Sequence, residues 1–241
     1  MNVQELTETL IGKDSLGILK TIDSKYGSEA VFTSSFGLED QIITHLIFSQ
    51  GLNIRVVTLD TGRLFKETYE VQQRTLDQYG KKIEVFFPDP KDLERYLTEK
   101  GPNAFYQSIE LRKECCHIRK VLPLNRALVG AKLWITGIRK EQSGNRNDMP
   151  LVEIDSAKEI LKVHPILQWS WEDCLSFAKE NKIPYNPLHE EGYPSIGCAP
   201  CTRAIEPGED FRAGRWWWEN EDTKECGLHW VDGKLTRKKG N

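Results

Sequence analysis

Short apolar, β-prone runs alternate with amphipathic stretches over the first part of the chain. Ala30 to Ser34 (AVFTS) is the first such run, followed by Ser35-Phe36-Gly37 and an amphipathic segment from Leu38 to Phe48. This order of strand, tight loop and helix recurs. Ile54 to Asp60 (IRVVTLD) precedes a helical segment from Leu64 to Gln78, and Ile83 to Phe87 (IEVFF) precedes another from Asp92 to Lys100. A further helical pattern around Arg112 to Leu128 leads into Lys132 to Gly137 (KLWITG). Short apolar runs bounded by turn residues read as strands and 3.6-residue periodicity as helices, so the alternation predicts an α/β fold with a mainly parallel sheet covered on both faces.

In open parallel sheets ligands sit beyond the carboxyl ends of the strands. The pattern therefore predicts one crevice bordered by Ser34 to Gly37, Asp60 to Arg63 and Gly137 to Arg146. Beyond Arg139 the order loosens into a polar loop from Lys140 to Asp148, a helix from Trp171 to Glu180 and a Pro/Gly-rich span from Pro184 to Gly214. The basic residues Leu235 to Asn241 read as a solvated tail.

At 241 residues the chain is long enough for one α/β domain with an extension. Its net charge of −3 does not draw in polyanions, so nucleic acid is not an expected partner. No run of 18 apolar residues exists, and Met1 to Gly12 carries Glu5 and Glu8 with no basic stretch ahead of an apolar one. A soluble cytoplasmic protein without membrane contact is expected. Six cysteines are too few for a disulfide scaffold, and in a reducing compartment closely spaced cysteines read as metal ligands or catalytic thiols.

Cys115 and Cys116 are adjacent, and Cys198-Ala199-Pro200-Cys201 follows much later. Two thiol pairs suggest one metal site. Zinc draws its ligands from pairs separated by two to four residues, because each pair must wrap around one ion, and adjacent cysteines do that badly. A 4Fe-4S cube offers each thiolate a separate iron, so neighbours can engage two irons of one cluster. The bland alternative is a coincidental CC and a CxxC redox dithiol. Cys174 lies in a helical pattern and reads as a small buried hydrophobe. Cys226 stands near the chain end with Lys224, Gly227 and His229 around it; cationic neighbours lower a thiol pKa, yet an ordinary exposed cysteine fits the local sequence equally well.

Ser34, Ser35 and Gly37 sit where a strand passes into a helix, a place where hydroxyls, backbone N–H groups and the helix dipole cradle anions. Basic residues recur elsewhere: Lys120, Arg139, Arg146, Arg212 and Arg215. Arginine's planar fork suits phosphate and sulfate oxygens, although any one of these residues taken alone reads as a solvated surface charge. Trp216, Trp217 and Trp218 cannot all face a core, which places one at the surface or at a subunit contact.

Taken together, SSFGLEDQ (Ser34 to Gln41), LDTGRLFKETY (Leu59 to Tyr69), CCHIRKVLPL (Cys115 to Leu124), TGIRKEQS (Thr136 to Ser143), GCAPCTR (Gly197 to Arg203), GRWWWE (Gly214 to Glu219) and ECGLH (Glu225 to His229) resemble the motifs of assimilatory sulfonucleotide reductases. More narrowly, the chain resembles the iron-sulfur-containing adenosine 5'-phosphosulfate (APS) reductases, over nearly its whole length. The resemblance implies a Rossmann-like adenine nucleotide α-hydrolase fold, with residues 1–205 as the nucleotide- and cluster-binding domain and 206–241 as a C-terminal segment carrying the nucleophile. It implies an oxidoreductase that reduces APS to sulfite and AMP, with thioredoxin or glutaredoxin as reductant, in sulfate assimilation and cysteine biosynthesis.

Carried over by motif, Cys226 is the nucleophile and Cys115, Cys116, Cys198 and Cys201 hold a 4Fe-4S cluster. Lys120, Arg146, Arg212, Arg215 and His229 contact the phosphosulfate, and Ser34, Ser35, Phe36 and Gly37 help hold the nucleotide. A homo-oligomer is expected. The SGGxDS loop of ATP pyrophosphatases is absent, which speaks against triphosphate hydrolysis. Reductases of the 3'-phosphorylated nucleotide (PAPS) generally lack both cysteine pairs, so the four thiols point to APS, with PAPS or dual use as the alternative. A zinc-binding nucleic-acid module and a nucleotide-activating ATPase of the same fold are the competing classes.

Overall fold

The computed structural model describes residues 2–142 and 149–219. The strands are β1 (Ala30–Ser34), β2 (Arg55–Leu59), β3 (Glu84–Phe86), β4 (Leu133–Ile135), β5 (Val152–Asp155) and β6 (Ile160–Val163). They form one sheet in the order β3-β2-β1-β4-β6-β5. All neighbouring pairs are parallel except β5 and β6, which are antiparallel.

Strand periodicity explains how this sheet is covered. Successive side chains point to opposite faces, so Phe32, Val56, Leu133 and Ile135 join one apolar cluster while Val31, Val57 and Trp134 join another. The first cluster is completed by α1 (Val3–Leu10), α2 (Ser15–Tyr26), α3 (Leu38–Ser49) and α8 (Trp171–Glu180). The second is completed by Leu124, Ala127 and Leu128 in and after α7 (Leu122–Ala127). Helices α4 (Lys66–Tyr79) and α5 (Pro90–Lys100) follow β2 and β3, as the alternating pattern predicts.

Three departures from the sequence reading have physical causes. The helical pattern at Arg112 to Leu128 is present but changes its winding: α6 (Ile109–Cys116) continues through a π-helical segment at His117–Val121 into α7. Pro123, with no N–H to give the preceding turn, stands just beyond it. The β5–β6 hairpin departs from the apolar-run pattern because its four-residue strands carry Glu153, Asp155 and Lys162 among their apolar positions. Helices α1 and α2 precede the first apolar run, and α1 is set by a capping box in which Asn2 accepts from Glu5 N and Glu5 accepts from Asn2 N. No helix among the described residues is long and apolar enough to cross a membrane.

Candidate active site

The sheet order reverses between β1 and β4, and a crevice of about 250 Å³ opens beyond their carboxyl ends. Ser34, Ser35 and Gly37 line it after β1, Thr61 after β2, and Thr136, Gly137 and Ile138 after β4. Lys120, Arg212 and Arg215 close it from other elements. Six of the residues expected to touch substrate are thus brought together. Arg146, Cys226 and His229 lie outside the described residues. Phe36 is turned into the core, 1% exposed, with φ of 59°.

The serine loop lines this crevice, but not as an open anion cradle. Asp40, in the first turn of α3, accepts from Ser35 N and Ser35 Oγ, each at 2.6 Å. Phe36 N donates to Ser34 Oγ at 3.2 Å and Gly37 N reaches Ser35 Oγ at 3.4 Å. The donors expected to meet a ligand anion are turned to the chain's own oxygens, and the helix dipole already has a carboxylate at its positive end. Burial pushes the Asp40 pKa up to about 6, against the lowering effect of the two Ser35 bonds. Gly137 passes so close that an added Cβ would lie 2.2 Å from Asp40 Oδ1, which reserves that position for glycine.

Beside Asp40, Glu39 is paired with the fully buried Arg139 at 2.9 Å, and Gln142 donates to the same carboxylate oxygen at 2.9 Å. Arg139, grouped above with surface cations, is therefore a buried partner of the α3 terminus. His189 also lines the crevice; its Nδ1 meets the Tyr193 carbonyl at 2.8 Å, and burial lowers its pKa. On the floor, Thr136 Oγ1 lies 2.7 Å from His164 Nδ1, and His164 Nε2 lies 3.3 Å from Glu153.

A second cavity adjoins the first. Cys115, Cys116, Cys198 and Cys201 all line it, together with Arg63, Arg112, Arg119 and Lys120. None of these four cysteines is in a disulfide. Cys115 and Cys116 end α6, where Lys120 follows Cys116 by one turn and Arg119 follows Cys115 likewise. Two contacts tie the distant Cys198–Cys201 turn to the loop after β2: Thr61 Oγ1 lies 3.3 Å from Cys198 Sγ, and Ala199 N donates to Arg63 O at 2.8 Å. Arg119 adds a bond to the Thr61 carbonyl. As thiols, Cys115 and Cys201 have raised pKa values, Cys201 to about 12, first because of burial. Among the described residues no three His, Cys, Asp or Glu side chains are grouped to hold a single metal ion.

Lys120 lines both cavities. Arg215 and the cysteines are also physically joined: Thr202 and Arg215 form an antiparallel bridge, Arg203 N donates to Gly214 O at 3.0 Å, and Trp216 N donates to Cys201 O at 3.1 Å. Trp216 is buried against the cysteines, Trp217 surfaces at 39% exposure and Trp218 packs on Tyr106 with ring centroids 4.5 Å apart. Cys174 is fully buried, and its burial pushes its pKa to about 12, as its reading as a small hydrophobe implies.

The family profile described as phosphoadenosine phosphosulfate reductase domain matches residues 29–204. The chain belongs to that family. It is 50% identical over 231 residues to the adenosine 5'-phosphosulfate reductase of Agrobacterium fabrum, covering 96% of this chain and 88% of that one. To the adenosine 5'-phosphosulfate reductase of Burkholderia cepacia it is 54% identical over 198 residues, 82% of this chain and 79% of that one. Among solved structures, the phosphoadenylyl-sulfate reductase of Candida auris in a phosphate complex superposes with a TM-score of 0.72 at 24% identity, covering 84% of this chain and 96% of that chain. The FMN adenylyltransferase of Candida glabrata superposes with a TM-score of 0.53 at 16% identity, covering 92% of this chain and 83% of that chain. Both share the fold, which is the adenine nucleotide α-hydrolase type the motifs implied.

Proposed function

We propose that the protein is a cytoplasmic adenosine 5'-phosphosulfate reductase, which forms sulfite and AMP with thioredoxin or glutaredoxin as reductant. The observation that carries this is Lys120 between a switch-point crevice closed by Arg212 and Arg215 and a cavity lined by Cys115, Cys116, Cys198 and Cys201. The names of the relatives supply the substrate.

Sulfur in a sulfate ester is shielded by anionic oxygens, so an approaching thiolate is repelled unless cations offset that charge. Lys120, Arg212 and Arg215 do this from fixed positions, which is electrostatic preorganisation. The Cys226 thiolate attacks sulfur, the S–S bond forms, the S–O bond to phosphate breaks and AMP leaves with the electron pair. A thiolate of reduced thioredoxin then attacks Cys226 Sγ, expels sulfite and forms a mixed disulfide, which the reductant's second thiol resolves. The two electrons come from that dithiol. His229 and Arg146 join the phosphosulfate contacts in this reading.

By its donor chemistry, the cysteine cavity supports the reading of a 4Fe-4S site. Four cysteines, none of them in a disulfide, line one space with Arg63, Arg119 and Lys120, whose charge would offset that of an anionic cluster, and Arg119 Nε and Trp216 Nε1 are buried there without hydrogen-bond partners. The four thiols need not converge on one ion, because a cube offers each its own iron. Cys115, Cys116, Cys198 and Cys201 would hold the cluster, which would supply fixed charge and order beside Lys120.

The deciding experiment compares thioredoxin-dependent sulfite release from APS and PAPS, with Cys226→Ser alongside. APS is expected to be the better substrate, and Cys226→Ser is expected to bind nucleotide yet release no sulfite. Faster turnover of PAPS, or appreciable turnover by the variant, overturns the reading.

A further inference from the structure

Trp216 has an arginine of each cavity against its ring. The guanidinium carbons of Arg112, which lines the cysteine cavity, and of Arg215, which lines the crevice, each lie 4.8 Å from the indole centroid. Arg112 does not line the crevice. It is fully buried and makes a two-pronged ion pair with Glu219, Nε to Oε1 at 2.8 Å and Nη2 to Oε2 at 2.7 Å. Trp216 itself has φ of 43°, a region that side-chain-bearing residues occupy only where surrounding contacts over-determine them. Those contacts are present: its N–H is tied to Cys201 O, the preceding residue is bridged to Thr202, and the ring is 1% exposed.

We propose that Arg112, Trp216 and Glu219 are positioning residues that set the Arg215 guanidinium in the crevice. The geometry gives Arg215 little freedom on its other side. An added Cβ on Gly197 would lie 2.2 Å from Arg215 Nη2, and Nη1 is 3.3 Å from Ile196 O. The guanidinium is therefore confined between the Ser195–Gly197 backbone and the indole. Cation–π attraction strengthens in a desolvated site, and the indole can hold its place only if its own neighbours do. The Arg112–Glu219 pair fixes that neighbour from the cysteine side. A change at Arg112 then reaches the phosphosulfate through Trp216 and Arg215 without Arg112 lining the crevice. This rests on the proposal that the crevice takes APS.

The test is a mutant cycle on the full-length protein, read by calorimetric binding of APS. Arg112→Met with Glu219→Gln removes both charges together, so neither is left alone in the interior. The pair is expected to weaken APS binding about three- to tenfold, and to cause no further loss when added to Arg215→Ala, because its effect passes through that side chain. A general loosening of the fold would instead add to the loss from Arg215→Ala, and that outcome overturns the proposal, as does unchanged affinity in the folded pair variant. If the pair does not fold, Trp216→Phe is carried through the same cycle with the same two outcomes. A ligand-free measurement separates this proposal from the functional one. The Arg215 side-chain protons should resonate upfield in the ring current of Trp216 and return toward ordinary shifts in the pair variant. If the unaltered protein fails to bind APS, the functional reading falls, while an unmoved Arg215 resonance overturns the positioning role by itself.

Discussion

Asp40 takes both donors of Ser35, the backbone N–H and the hydroxyl, at 2.6 Å each, and so locks the loop after β1 before any ligand arrives. This bond has a cost, since burial is the dominant influence on the carboxyl and raises its pKa from 3.8 to about 6. A folded-state pKa above the unfolded one means that the ionised carboxylate opposes folding above pH about 6, and that the penalty fades as pH falls toward 4. Asp40→Asn is therefore expected to stabilise the fold by ~1–3 kcal/mol at pH 8, with the gain shrinking between pH 7 and pH 4. Urea denaturation across that range checks it. A pH-independent difference would sink the argument.

The central sheet was legible because β1, β2 and β4 are buried on both faces and their apolar runs are interrupted only by turn residues. Leu38 to Phe48 and Trp171 to Glu180 were equally clear, the second beginning after Ser170, whose hydroxyl caps Asp173 N. The crevice followed from the order of these elements. What the pattern does not carry is where a donor is spent: nothing in SSFGLED tells that Asp40 folds back on Ser35, or that Arg139 is buried on Glu39. Thr61 fell within the expected loops, but its contact with Cys198 joins residues far apart in sequence. Arg112 carried no signal, because a fully buried arginine differs from an exposed one only through its partner, here Glu219.

The β5–β6 hairpin holds the crevice floor through Glu153. Burial alone would raise its pKa, but hydrogen bonds from His164 and Lys162 and their charges bring it down to about 2. With His164 Nε2–H donating to Glu153, Nδ1 is left to accept from Thr136 Oγ1, which fixes that hydroxyl in the crevice wall. A folded pKa below the unfolded 4.5 gives stability that is fully present above pH 4.5 and is lost as pH falls through about 2. Glu153→Gln is expected to destabilise by ~1–3 kcal/mol at pH 7 and by less at pH 3.5. Equal losses at the two pH values count against this account.

If the four cysteines hold a 4Fe-4S cluster, the purified protein is brown and carries about four irons per chain. Cys198→Ser and Cys201→Ser each remove one ligand from the turn tied to the loop after β2, and each is expected to lose iron and to fall in solubility, because buried thiols then lack their partner. Iron analysis and the visible spectrum decide this. A colourless, zinc-loaded protein, or an intact cluster in either variant, ends the ligand assignment.

Lys120 is the side chain common to both cavities, one helical turn beyond Cys116 and opening beside Arg212 and Arg215. Its ammonium is a compact charge, suited to the bridge between phosphate and sulfate rather than to a planar fork. Removing it takes away a hydrogen bond to a charged group, a contact of about 1.5–3 kcal/mol, which corresponds to roughly ten- to a hundredfold in affinity. Lys120→Met, which keeps the length of the side chain, is therefore expected to weaken APS by that factor. Adenosine, which lacks the phosphosulfate, should bind the variant and the unaltered protein alike. Calorimetric titration of both ligands into both proteins makes the comparison. Equal weakening of adenosine would mean that Lys120 shapes the whole crevice and does not face the reacting anion.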